Sequence, residues 1–183
     1  MKLLLTSDGI TTSAIAEAAL SLLPQGPSAM SALMVSQDAL PQHAQYIEAA
    51  KSQVTDLGIE DITFIDLSQE SLVLPKRSFD LLYICGGNTF RILDRMRTLG
   101  VDLFLIDAVQ NGAVYLGVSA GSIIAGPDIA ISSWGSEGDV NDIDLEDLTG
   151  FGLVELVVFR IFARSCARSL KRFNVKRRAG WLS

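Results

Sequence analysis

The chain has 183 residues, 49% apolar and 20% charged, enough for one domain with a proper hydrophobic core. Its net charge of −6 and pI near 4.7 argue against nucleic acid as a partner. The N-terminal Leu3-Leu4-Leu5 run is too short for a signal h-region, no stretch approaches the roughly 18 apolar residues of a membrane span, and Cys85 and Cys166 form neither a disulfide framework nor a metal motif; the expectation is a cytoplasmic protein without membrane contact.

In chain order, Lys2 to Leu5 predicts a short buried strand, and Thr11 or Thr12 caps a helix running to about Leu23, stopped by Pro24 and Gly26. Ala32 to Val35 predicts a second strand, and Pro41 opens a helix to about Leu57 with Gly58 as its stop. Ile62 to Ile65 and Leu81 to Cys85 are further strands, the latter running into Gly86-Gly87-Asn88. Phe90 to Leu99 and Leu103 to Val109 are helical, Val114 to Val118 is a fifth strand, and a short helix follows through Ile123 to Gly126-Pro127. Asp139 to Asp147 reads as a solvated loop or short helix, and Phe151 to Phe159 as one more strand. Short apolar strands alternating with helices predict βαβ units and a mostly parallel sheet covered on both faces.

Two segments carry chemistry. Gly117-Val118-Ser119-Ala120-Gly121 is a G-x-S-x-G pattern between a predicted strand and a predicted helix. A sharp turn there lifts a serine hydroxyl off the sheet, and the helix start aims backbone N–H groups where an oxyanion forms. The same pattern also suits a serine that merely caps a helix. Cys85-Gly86-Gly87-Asn88-Thr89-Phe90 also follows a strand. Its glycine pair allows close backbone approach to a ligand, with Gly87 and Ala120 N–H as two oxyanion donors. Alternatively it is a plain turn, with Asn88 or Thr89 as the next N-cap.

Taken together, Tyr83 to Phe90 with Leu93, Tyr115 to Ser122, the opening Leu5-Thr6-Ser7-Asp8-Gly9 and Asp147 to Val154 resemble the peptidase E family, which includes cyanophycinase-like enzymes. The resemblance spans residues 1–159. It implies a three-layer α/β sandwich related to class I glutamine amidotransferases, of the flavodoxin-like type. It also implies serine peptidase activity on small peptides, typically dipeptides with an N-terminal aspartate. Ser119 would be the nucleophile, Gly87 and Ala120 the oxyanion hole, and a histidine the general base, oriented by an acidic residue. No metal or organic cofactor is implied. A cysteine-based amidotransferase or an α/β-hydrolase fits less well: the elbow residue is Ser119, and no HGGG-type segment is present.

The chain departs from that family in two places. The family's Pro-His-Phe falls on Arg160-Ile161-Phe162, and neither Arg160 nor Ile161 can act as a base at neutral pH. The one histidine, His43, falls in the first turn of the second predicted helix and reads as a bystander. The family's acidic partner aligns on Trp134; Glu137 is the choice among nearby acids, with Asp139 and Asp128 as alternatives, and all three also suit solvated loop charges. Arg91 and Arg95, one turn apart, either hold a substrate carboxylate or form a solvated helix face.

Charge changes at the same point. Residues 1–159 hold all 21 acidic and 7 of the 15 basic residues, net −14, whereas residues 160–183 hold the other 8 basic residues, net +8. This basic tail does not resemble the family. Loss of one C from a proline codon in Pro-His-Phe turns CCG-CAT-TTT-CG into CGC-ATT-TTC-G, which reads Arg-Ile-Phe and then a codon such as alanine, as in Arg160 to Ala163. A frameshift therefore accounts for both losses, and a native tail for an acidic partner is the competing reading. Without the family's remaining strands a sheet edge is left unpaired, which favours low stability or a homo-oligomer. The expectation is an impaired peptidase, or a peptidase fold that binds without catalysis.

Overall fold

In the computed structural model, residues 1–24, 26–37 and 44–158 are described. Five strands, β1 (Lys2–Thr6), β2 (Ser31–Ser36), β3 (Asp61–Asp66), β4 (Leu81–Ile84) and β5 (Val114–Val118), form one wholly parallel sheet in the order β1-β5-β4-β2-β3. The helices are α1 (Ser13–Leu22), α2 (Ala44–Asp56), α3 (Thr89–Leu99), α4 (Val101–Gln110) and α5 (Ala120–Ile124).

The strand order explains the layers. From β1 to β3 the chain steps across the sheet one way, and from β3 to β5 it returns. Parallel crossovers are right-handed, so the return puts its helices on the opposite face. Alternate residues of each central strand serve opposite cores. Ala32, Met34, Leu81, Tyr83, Val114 and Leu116 pack with Ala19 of α1 and Ala50 and Val54 of α2. Leu33, Val35, Leu82, Ile84 and Tyr115 pack with α3, α4 and α5 through side chains such as Phe90, Met96, Leu105 and Ile123. The three-layer α/β arrangement is thus the one expected.

Local signals place most element ends. Thr12 Oγ1 accepts from Ile15 N–H at 3.3 Å and starts α1. Asn88 Oδ1 accepts from Arg91 N–H at 3.1 Å and starts α3, so Asn88 rather than Thr89 is the N-cap. The expected start of the second helix at Pro41 lies outside the described residues, as do His43, Phe159 and the tail from Arg160 onward.

Two expectations need correction. Residues 151–158 do not form a strand. Phe151 N–H donates to Ile124 O at 2.7 Å, Leu153 N–H to Ala125 O at 2.9 Å and Gly152 N–H to Gly126 O at 3.0 Å. These donors satisfy the carbonyls that the end of α5 leaves over, so they are not available to a sheet ladder. The acidic segment 139–147 takes the loop form of the two expected, but part of it docks on α3 instead of standing in solvent, as described next. Among the described residues, no helix is long and apolar enough to cross a membrane.

Candidate active site

Ser119 joins β5 to α5 with φ 52° and ψ −110°, one of two non-glycine residues with positive φ among those described. A backbone so placed costs of order 1–3 kcal/mol and persists only where its surroundings hold it. They do so through several bonds. Ser119 N–H donates to Thr6 O at 2.9 Å, continuing the ladder between β5 and β1. The Ser122 hydroxyl accepts from Thr6 N–H at 3.0 Å and lies within hydrogen-bond reach of Thr6 O at 2.8 Å and Gly117 O at 2.7 Å, tying the first turn of α5 to both strand ends. The buried Tyr115 hydroxyl donates to Gly121 O at 2.7 Å.

Glycine is required on both sides of the serine. A Cβ on Gly121 would stand 2.4 Å from Ile84 O, and one on Gly117 would stand 2.7 Å from the Gly121 backbone. The turn therefore folds directly onto the end of β4, where Gly86 and Gly87 follow. A Cβ on Gly86 would come within 3.1 Å of Ser119 Cβ and 3.7 Å of its Oγ, so a side chain there would crowd the hydroxyl. Gly87 has φ +148°, a conformation that side chains avoid.

Ser119, Gly86, Gly87 and Asn88 line a cleft of about 540 Å³ at the carboxyl ends of the strands, walled on one side by α2. This is where open α/β sheets bind ligands, because neighbouring connections leave toward opposite faces. Ser7 and Asp8, after β1, complete its rim. Cys85 also lines it, but the thiol is buried and hydrogen-bonded to Ser36, and burial pushes its pKa up to about 12. It stays a thiol at neutral pH, which leaves Ser119 as the nucleophile candidate. Ala120, the first residue of α5, is buried and does not itself line the cleft.

The acidic candidates take different places. Asp128 Oδ1 accepts from Ala130 N–H at 2.7 Å in a local turn. Glu137 is exposed in the loop that follows Trp134, and neither residue lines the cleft. Asp139 is not a solvated loop charge: its Oδ2 accepts from Thr89 N–H at 2.9 Å and from Thr89 Oγ1 at 2.5 Å. Asn88 Nδ2 donates to Val140 O at 2.8 Å, and Arg91 forms an ion pair with Asp142. The 139–142 segment is thereby stitched to the start of α3, just beyond Gly87. Sequence reading missed this docking; the weak signal was an acid-rich stretch opposite a helix start lacking acids of its own. Arg95 Nε donates to Leu67 O at 2.9 Å, whereas Arg91 stays on the exposed face of α3 beside Asp142; neither arginine lines the cleft.

Asp139→Ala leaves the N–H and hydroxyl of fully buried Thr89 without that acceptor. The expected loss is about 1.5–3 kcal/mol, read from urea unfolding midpoints at constant m-value. A change below about 0.5 kcal/mol would mean that the bond adds nothing net.

A parallel sheet with a strained serine turn beside a glycine-lined cleft at the carboxyl ends of its strands defines the chain as an α/β protein with a candidate ligand site at that edge. A family model, that of peptidase family S51, matches residues 4–169, and the chain belongs to that family. It is 34% identical over 118 residues to the uncharacterized peptidase Lin0382 of Listeria innocua, covering 62% of this chain and 54% of that one. It is 29% identical over 117 residues to peptidase E of Salmonella heidelberg, covering 64% and 47%. The chain thus spans about half the length of these curated relatives. Among solved structures, a candidate peptidase E from Listeria monocytogenes superposes with TM-score 0.64 at 22% identity, covering 82% of this chain and 75% of that one. A peptidase from an acI-B1 actinobacterium superposes with TM-score 0.57 at 18% identity, covering 84% and 64%. These likenesses establish the fold.

Proposed function

We propose that the chain is a serine-type peptidase acting on small peptides, with Ser119 as nucleophile and the N–H groups of Gly87 and Ala120 as oxyanion hole. The observation that carries this reading is the strained Ser119 backbone at the mouth of the cleft. Strain of this kind is retained where exposing a hydroxyl has a use. Within α5 the ladder starts with Ser122 and Ile123 N–H donating to Ser119 O, at 2.9 and 3.1 Å. The N–H of Ala120 precedes that ladder, as a first-turn donor does. Membership of family S51 supports the same chemistry.

The general base is where this chain falls short. Arg160 and Ile161 stand where the family places Pro-His, and His43 is the chain's one histidine. A triad lacking a member retains about 10³–10⁴-fold acceleration over water. We therefore expect slow acylation rather than none. A fluorophosphonate probe tests the nucleophile: Ser119 Oγ attacks phosphorus, fluoride leaves, and the serine proton passes to solvent. Prolonged incubation should add one phosphonyl mass to the peptide holding Ser119, and none in Ser119→Ala. Labelling elsewhere, or no labelling, would remove Ser119 from the role. In the latter case a peptide-binding protein without catalysis is the reading that stands.

A further inference from the structure

The cleft beside Ser119 has a chemistry of its own. Tyr46, Ile47, Ala49 and Ala50 of α2 form one wall, with Tyr83 and Val118 from the sheet. Gln53 Oε1 accepts from the Tyr83 hydroxyl at 2.6 Å and from Ile10 N–H at 2.8 Å. What Gln53 can offer a ligand is therefore its NH₂ group. Among the described residues the lining holds no Lys, Arg or His, and its single carboxylate is Asp8. Arg91 and Arg95, the arginines weighed for a substrate carboxylate, are engaged with Asp142 and with Leu67 O.

Asp8 stands close to the nucleophile by topology. It lies two residues past Thr6, whose carbonyl accepts the Ser119 N–H. Its field reaches the cleft: the Tyr83 hydroxyl pKa is raised first by burial, and the Asp8 charge adds to the rise. A peptide's α-amino group is one carbon from the carbonyl that Ser119 would attack, so a carboxylate near the serine suits an N-terminal ammonium.

We propose that this cleft takes the N-terminal residue of a small peptide with its α-ammonium at Asp8 and an uncharged, apolar side chain against α2, and that it disfavours an N-terminal aspartate. An acidic side chain there would be desolvated with no cation among the described lining residues to meet it and would face Asp8 as a like charge. The proposal rests on the peptidase reading for its orientation, but binding is measurable without catalysis.

The test uses Ser119→Ala, titrated calorimetrically with Leu-Ala, Asp-Ala and N-acetyl-Leu-Ala. Leu-Ala should bind about tenfold or more tightly than Asp-Ala. Acetylation, which removes the ammonium, should weaken Leu-Ala by about fivefold, a modest factor because Asp8 is exposed, and added salt should shrink the difference. Adding Asp8→Asn should weaken Leu-Ala and leave its acetylated form unchanged. Equal or tighter binding of Asp-Ala, indifference to acetylation, or no binding of any dipeptide at millimolar concentration would overturn the proposal. Fluorophosphonate labelling of the unmodified chain separates this failure from failure of Ser119 as nucleophile.

Discussion

A chain carrying Arg160→Pro and Ile161→His, which reads Pro-His-Phe with Phe162, is expected to hydrolyse small dipeptides about 10²- to 10⁴-fold faster than the chain as it stands. A serine hydroxyl holds its proton at neutral pH, and the group that removes it also protonates the leaving amine, so one missing base slows both halves of the reaction. The restored activity should rise with pH through about 6.5, because imidazole accepts a proton only in its neutral form. Ser119→Ala should erase the gain. A companion protein read in the alternative frame from position 160 asks whether the rest of the tail matters as well. If neither protein gains turnover, and no Pro-His-Phe appears in that frame, the frameshift account fails. Robust, Ser119-dependent hydrolysis by the unaltered chain would instead show that another base serves, and His43 would be the first residue to replace.

Gly121→Ala is expected to be among the most damaging single substitutions. The new methyl would stand 2.4 Å from Ile84 O and 2.9 Å from Ile84 Cβ, and the first of these is backbone in a central strand. Relief requires α5 to back away from β4, which would loosen the Tyr115 hydrogen bond to Gly121 O and the Ser122 bonds to β1 and β5. Overpacking of this kind costs about 1–3 kcal/mol and sometimes more. For a chain of this size that lowers Tm by about 2–4 °C per kcal/mol. Gly26→Ala is the control. Its φ is −62° and nothing lies within 4 Å of the added carbon, so it should be neutral or stabilising by about 0.4–1 kcal/mol. Equal stabilities of the two variants would mean that α5 is not held against β4 as described.

Sequence alone determined the five strands, the helices that connect them and the elbow. Each central strand is a short apolar run that no amphipathic helix would contain, and Val114–Val118 has the same ends in the fold as in the sequence reading. Thr12, Asn88 and the glycines mark helix starts and turns through local backbone chemistry that needs no distant partner. The strained turn at Ser119 was likewise legible, because glycines at 117 and 121 leave room for little else. What required the tertiary structure is everything set by non-local pairing. Strand order follows from which edges meet, and a fully buried run carries no mark of its neighbours. The 151–158 segment looked like a strand because its apolar content is strand-like, yet the carbonyls at the end of α5 claim its N–H groups. Asp139 looked like a solvent charge because its partner, Thr89, is 50 residues away in sequence. The cleft is assembled from the ends of β1, β2, β4 and β5 and one face of α2, so the meeting of Asp8 with Ser119 and the α2 wall appears only when those segments are brought together.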